Sequence, residues 1–370
     1  MIEYIKASKN DKAEIIDFIN YVFSNSEKPH DFKKLLPKAY SDEVDGMGAE
    51  HYIVREDGKI KGVVANRIID ADYCGNTLKI GLIGSVAVHP YSRGQGFMKN
   101  LMKMAIDDAE DMGVQLLLLS GKRQRYGYFG FENAGILYNF KVSDSNIRHA
   151  LEGVDDYEIS FTEMSKENQA EIRLACQMNN LKPCHTARKE DEFLRIMGSW
   201  SEKSYIIRKN DEMIGYSFAL FRELVLKDEA YYPEVVKAML KNVGTAYIPA
   251  AAYERGKIEF LSSICEDYSI SHFEKASVLD WKAVIFTFLD LKSKITELDD
   301  GEMTFAVDDV CIRVTVRNNK VSVTDAAFDA DTKKLSHNQA EGLIFELDGL
   351  INNKLNWFPL PLYLDAADTF

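Results

Sequence analysis

Apolar positions early in the chain alternate between two periods. Residues 2–7 read as a strand. Behind it, Ile15, Ile16, Phe18, Ile19 and Val22 recur at the spacing of a buried helical face and predict a helix over 11–23. Strands over 52–55 and 62–69 pair across Asp57-Gly58, a hairpin signal, and Gly75-Asn76 turns the chain into a long strand over 78–88. A helix over 96–112 closes at Gly113, where a helix C-terminus favours glycine. The near-continuous apolar run 114–119 suits an interior strand covered on both faces.

The texture then weakens. A helix over 166–178, strands over 204–208 and 214–220, a helix over 231–241 and a strand over 258–262 predict a degenerate repeat of the first unit. It lacks a Gly-rich turn where a phosphate would sit, so no cofactor of its own is expected there. A meander follows over 301–307, 310–317 and 320–324, with turns at Asp308-Asp309 and Asn318-Asn319. Ser336 then caps a helix running to about residue 350. With 370 residues the chain exceeds what one core organises. Its divisions fall at 1–145, 146–278 and 279–370, without low-complexity linkers, which predicts tightly docked domains.

Composition narrows the chemistry. A net charge of −13 argues against a nucleic-acid partner, whose phosphates call for a basic surface. It suits cationic substrates, which acidic clefts concentrate. No stretch approaches the roughly 18 apolar residues of a membrane span, and the charged N-terminus has no apolar signal run, so no membrane partner and a cytoplasmic location are expected. Five scattered cysteines form no CxxC pair and no metal-ligand cluster, which predicts neither disulfides nor a metal. Cys184 and His185 are sequence neighbours whose side chains rarely face one another.

The strongest local signal is Val86-Ala87-Val88-His89-Pro90-Tyr91-Ser92-Arg93-Gly94-Gln95-Gly96-Phe97-Met98-Lys99. A strand enters a turn rich in glycine, and a helix starts at its end. Glycines admit close backbone approach, and the free N–H groups of a first helical turn bind anions such as a pyrophosphate. Neither the Walker ending nor GxGxxG is present. The segment resembles the acetyl-CoA motif of the GNAT superfamily of N-acetyltransferases, V-x-V-x-P-x-x-[RQ]-x-x-G-x-[GA], through Val86, Val88, Pro90, Arg93 and Gly96, with Met98 departing from the last small position. The resemblance makes acetyl-CoA the co-substrate. It assigns Val86, Ala87, Val88, Arg93, Gly94, Gln95, Gly96, Phe97, Met98, Lys99 and Ser120 to its binding. Downstream, Arg125-Tyr126-Gly127-Tyr128-Phe129-Gly130-Phe131 resembles the family's Y-x-x-x-G-F ending. This implies Tyr126 as the general acid for the departing thiolate, with Tyr128 the competing phenol.

Over its whole length the chain resembles the Eis-like (enhanced intracellular survival) acetyltransferases, whose cofactor turn ends in glycine and two bulky apolar residues, as in Gly96-Phe97-Met98 here. The resemblance implies a mixed α/β (α+β) architecture: two tandem GNAT-like mixed-sheet domains, the second degenerate, and a C-terminal α+β domain like sterol carrier protein. It further implies a homo-oligomer, up to a hexamer, and a C-terminal carboxylate that enters the active site. The tail from Pro359 to Phe370 carries Leu362, Tyr363, Leu364 and Phe370, more apolar than a free terminus needs. By the resemblance Phe370 supplies the base through its α-carboxylate. Asp365 and Asp368 are weaker candidates for an acidic pocket, and His89 belongs to the strand's end rather than to catalysis. Phe18, Phe23 and Phe32 form either core or an apolar wall for the acceptor.

The expected function is acetyl transfer from acetyl-CoA to a primary amine of a small molecule or peptide (aminoglycoside-, polyamine- or lysine-like) by direct attack. A non-catalytic acetyl-CoA sensor and a lipid-binding protein on the same fold are the alternatives.

Overall fold

The computed structural model describes residues 1–25, 28–329, 332–347 and 355–370. Its strands in chain order are β1 (Ile2–Lys6), β2 (Glu50–Glu56), β3 (Lys59–Tyr73), β4 (Asn76–Val88), β5 (Leu116–Leu119), β6 (Glu132–Ala134) and β7 (Leu137–Ser143). They continue as β8 (Ile159–Glu163), β9 (Cys184–Thr186), β10 (Ser204–Lys209), β11 (Glu212–Phe218), β12 (Glu223–Leu226), β13 (Thr245–Ala251), β14 (Asp267–Ser271) and β15 (Glu274–Val278). The last four are β16 (Gly301–Val307), β17 (Val310–Arg317), β18 (Lys320–Asp325) and β19 (Lys333–Leu335). Four tight turns set these hairpins. Asp57-Gly58, Cys74-Gly75, Asn210-Asp211 and Asn318-Asn319 each hold both residues at positive φ, the geometry whose twist matches that of paired strands.

The fold is mixed α/β with GNAT-like mixed sheets. The first sheet runs β1-β2-β3-β4-β5-β15-β6, with β9 beside the far end of β3. β4 and β5 are parallel, so a crossover must join them, and the helix Phe97–Asp111 supplies it. That helix covers one face of the sheet through Val54, Ile83, Leu117 and Leu119. Helices Lys12–Ser24 and Trp281–Ser293 cover the other, over Ile53, Leu82 and Leu118. A second sheet (β12-β11-β10-β8), a third (β13-β7-β14) and a fourth (β18-β17-β16-β19) follow. No helix among the described residues is long and apolar enough to cross a membrane.

Sheet pairing crosses the expected division at 145, while the strands after 278 pair among themselves. β7 leaves the first segment to lie between β13 and β14, and β15 returns to lie between β5 and β6. Ala276, Ser277 and Val278 are buried in succession, so β15 has no solvent face. The strand expected over 258–262 is instead part of a helix, Arg255–Ile264. Its apolar positions fit both periods, but Leu261 and Ile264, three apart, are the buried pair. The last helix runs His337–Phe345 behind a Ser336 capping box, shorter than expected, and residues 348–350 lie outside the described residues.

The C-terminal tail is docked through charge. Arg188, with a side chain 0% exposed, donates from Nη1 and Nη2 to Glu223 at 2.7 and 2.9 Å. From Nε and Nη2 it also donates to Asp368, at 3.0 and 2.8 Å. Thr186 also donates to Asp368, Tyr216 donates to Glu223 at 2.8 Å, and Lys182 pairs with Asp365. Burial alone would raise the Asp368 carboxyl, but Arg188 and Thr186 outweigh it and hold it at about 2. A depressed carboxyl stabilises above its unfolded pKa, so this contribution is intact above about pH 4 and lost as pH falls towards 2. Arg188→Ala leaves two buried carboxylates without their cation and is expected to cost about 3–5 kcal/mol in urea unfolding. It should also expose the tail to carboxypeptidase; wild-type resistance in the variant would contradict this.

Candidate active site

The site begins where two strands part. The parallel register of β4 and β5 runs from Ile80 opposite Leu116 to Ile83 opposite Leu119 and ends there. β4 continues to Val88, while the chain after Leu119 turns away. Ser85 bulges at φ 49° where the β3–β4 register shifts, deepening the divergence. The edge of residues 84–88 that would face β5 therefore lies open. Val86, Ala87 and Val88 line it with their backbone.

The strand runs through His89 into the glycine turn. Gly94 and Gly96 sit at φ 81° and 78°, a conformation that side chains resist, and Gly96 is the N-cap of the helix Phe97–Asp111. Arg93, Gly94, Gln95, Gly96 and Lys99 are exposed, Met98 is half-buried, and Phe97 is buried and anchors the helix start. The first-turn N–H groups thus open to solvent at the end of the β4–β5 gap, a geometry suited to an anion.

Two groups approach the gap from opposite faces of the sheet. Tyr126 ends the short helix Arg123–Tyr126, is 7% exposed, and packs with Ile83 and Leu119 on the helix side. It lies so close to Gly121 that a Cβ there would sit 2.3 Å from its ring. Burial raises its phenol pKa, against a smaller opposing pull from Arg125. Tyr128, at 67% exposed, lies outside with Lys99 Nζ 5.2 Å above its ring.

Phe370 arrives on the other face. A Cβ on Gly84 would lie 2.4 Å from its ring and 3.3 Å from its carboxyl carbon, so ring and terminus rest directly on β4. Lys38, buried, grips the carbonyls of Ala367 and Thr369 at 2.7 and 2.5 Å. Phe370 shares a small cavity with Leu119, Ser120, Phe273 and Glu274.

Sequence reading missed two features. Tyr40 Oη lies 2.7 Å from Ser85 Oγ and 3.0 Å from His51 Nε2, under the bulge, with its ring 6.1 Å from that of Phe370. Burial pushes His51 down to about 4, so the ring is neutral; donating from Nδ1 to the Ala49 carbonyl leaves Nε2 to accept from Tyr40. Glu274, on β15, is the second. No local motif marks either, since both depend on a bulge or on a strand from a distant segment.

The remaining candidates are placed elsewhere. Asp368 is buried and tied up by Arg188, a structural anchor, whereas Asp365, paired with Lys182, lines a cavity together with Glu223, Glu229 and Glu254. Phe18 and Phe32 are core, and Phe23 meets Phe32 edge-to-face at 5.0 Å. Phe32 in turn meets Tyr40 at 5.7 Å, which links this wall to the tail. His89 stacks on Tyr21 at 5.5 Å at the end of β4. Cys184 lies 3.9 Å from Cys74, and His185 Nδ1 contacts the Lys182 carbonyl at 2.7 Å, so neither engages the other.

A strand pair that splays beside a glycine-capped helix defines a class. Residues 3–134 match the family model of the acetyltransferase (GNAT) domain, which covers just over a third of the chain. The chain thus carries a GNAT acetyltransferase domain, the kind of domain that transfers acyl groups. Solved structures share the fold over the full length. A GCN5-related N-acetyltransferase from Anabaena variabilis ATCC 29413 superposes with a TM-score of 0.66 at 14% identity, covering 100% of both chains. Eis1 from Mycobacterium abscessus does so at 0.64 and 13%, again over 100% of each. A GCN5-related N-acetyltransferase from Kribbella flavida gives 0.64 and 13%, over 93% of this chain and 88% of its own. No curated protein matches the sequence significantly.

Because Phe370 rests on Gly84, Gly84→Ala should wedge the tail off the sheet. We expect a loss of about 1–3 kcal/mol, typical of overpacking, and faster release of Phe370 by carboxypeptidase. Unchanged release would mean the ring is not seated there.

Proposed function

We propose that the protein transfers acetyl from acetyl-CoA to a primary amine by direct attack within a ternary complex. The observation that carries this is the β4–β5 gap, with a helix N-terminus at one end and Tyr126 and Phe370 reaching it from opposite faces. The pyrophosphate would sit on the turn from Arg93 to Lys99. The open backbone of Val86 and Val88 would hold the pantetheine arm and thioester carbonyl, with Ala87 between them and Ser120 at the mouth. Tyr126 would protonate or hydrogen-bond the departing thiolate. The Phe370 α-carboxylate, ionised at neutral pH, would hold the acceptor's ammonium and relay its proton through water.

In this reading residues 1–145 are the acetyl-CoA-binding domain, 146–278 a degenerate GNAT-like domain, and 279–370 a sterol-carrier-like domain that delivers the tail. The acceptor is aminoglycoside-, polyamine- or lysine-like. The overall acidity favours a cation. The resemblance of the cofactor turn and tail to the Eis-like acetyltransferases is the ground for reading the chain as an Eis-like protein acting in the cytoplasm as a homo-oligomer, and the full-length likeness to Eis1 agrees with it in fold.

The test is acetyl-CoA-dependent release of free thiol over a panel of amines. Tyr126→Phe should lower turnover by about 10²-fold or more while leaving acetyl-CoA affinity nearly unchanged. Deleting Phe370 should be comparably damaging. Binding of acetyl-CoA without turnover of any amine would favour a sensor instead.

A further inference from the structure

Resting on the acetyl-transfer reading, we propose that Glu274 is the proton acceptor for the incoming amine, with Phe370 as its anchor, which fits the site to acceptors that arrive as ammonium ions. The argument starts from register. β15 pairs with β5 antiparallel, Lys275 opposite Leu119 and Ala276 opposite Leu118, which places Glu274 opposite Ser120. Side chains alternate across a strand. Leu118 and Ala276 belong to the core on the tail side of the sheet, and Leu119 to the core on the helix side. Ser120 and Glu274 therefore both project towards the tail, and both line the cavity that Phe370 closes. Glu274 is thus a carboxylate on a central strand, aimed at the chain terminus across the end of the β4–β5 gap.

Its surroundings suit the task. Burial pushes the Glu274 carboxyl up to about 7, against smaller opposing effects of Lys275 and of a hydrogen bond from Ser120. Lining the same cavity as Glu274 are Ser120 from β5 and Thr369 and Phe370 from the tail. Ala134, its partner on β6, is uncharged, and Lys275 on its own strand points to the opposite face. An α-carboxylate with a reference pKa of about 3.5 holds a cation well but accepts a proton poorly. A carboxyl near 7 is matched to accepting one at neutral pH.

The step balances without a further reactant. The ammonium, held by the Phe370 carboxylate, gives one proton through the relaying water to Glu274, which is where that proton comes to rest. The freed nitrogen lone pair attacks the thioester carbon, the N–C bond forms, and the C–S bond breaks. Tyr126 protonates the departing thiolate and is restored by the nitrogen's second proton. Glu274 then releases its proton to solvent, leaving the acetamide and CoA thiol.

The experiment uses the full chain with acetyl-CoA and spermidine, following thiol release between pH 6 and 9. Wild-type kcat should rise with pH through a midpoint near 7, because the carboxylate must be ionised to accept. Glu274→Gln should lower kcat by about 100-fold, abolish that limb, and leave KM for acetyl-CoA unchanged, a split that a merely structural role would not give. Glu274→Asp should retain part of kcat and keep a limb. Active wild type with an equally active Glu274→Gln would overturn the assignment and leave acetyl transfer standing. Should Glu274→Gln fail to fold, a Glu274→Asp enzyme with full kcat and an unmoved midpoint would overturn it equally. Wild type that binds acetyl-CoA but acetylates neither spermidine nor any amine of the panel would overturn both readings.

Discussion

One buried guanidinium organises the site. Arg188 lies between Glu223 of β12 and Asp368 of the tail, so the second sheet and the chain terminus are fixed to each other through a single planar fork. Burying such a cluster is costly, and a hydrophobic replacement of equal shape often stabilises as much. What the cluster supplies is position. Asp368 is clamped by Arg188 and Thr186, while Lys38 holds the carbonyls on either side of it. Residues 367–369 are therefore pinned from two sides, and Phe370 has little freedom left except to lie over Gly84. A terminus, ordinarily the loosest part of a chain, becomes part of a packed core.

The same logic explains the exchange of strands. β5 is four consecutive leucines, all buried. Left as an edge strand it would present an apolar, unpaired ladder. β15 covers that edge from more than 130 residues away in sequence and carries Glu274 to the mouth of the gap. The matched domain ends at residue 134, yet its sheet is complete only with a strand at 274–278. The first three quarters of the chain thus fold around each other, with the site at the seam.

Much of this was legible in the sequence, for a physical reason in each case. Asp57-Gly58 and Asn318-Asn319 announce hairpins because few other pairs adopt positive φ twice in succession. The glycine turn before the helix Phe97–Asp111 reads clearly because glycine is needed at Gly94 and Gly96 by backbone conformation alone. The apolar tail signalled docking through Leu362, Leu364 and Phe370, all buried. Non-local chemistry was illegible. The period of 258–262 does not separate helix from strand, nothing local announces the pairing of Asp365 with Lys182 or of Asp368 with Arg188, and nothing around Glu274 distinguishes it from a surface glutamate. Strand order decides each of these, and strand order is not written in local pattern.

The two faces of the first sheet also differ electrically in a way that suits the proposed reaction. On the helix side, Tyr126 is desolvated among Ile83, Leu119 and Phe131, which raises its phenol pKa and keeps it protonated. On the tail side, desolvation instead brings Glu274 to about 7, where it exchanges a proton readily. Burial disfavours charge in both cases, yet the outcomes differ because a phenol starts near 10 and a carboxyl near 4. A phenol kept protonated and a carboxyl poised near 7 are thereby held on opposite sides of one gap by the same physical effect. Only the sheet, open between β4 and β5, separates them. A reaction that takes a proton from an entering amine and gives one to a departing thiolate needs that arrangement.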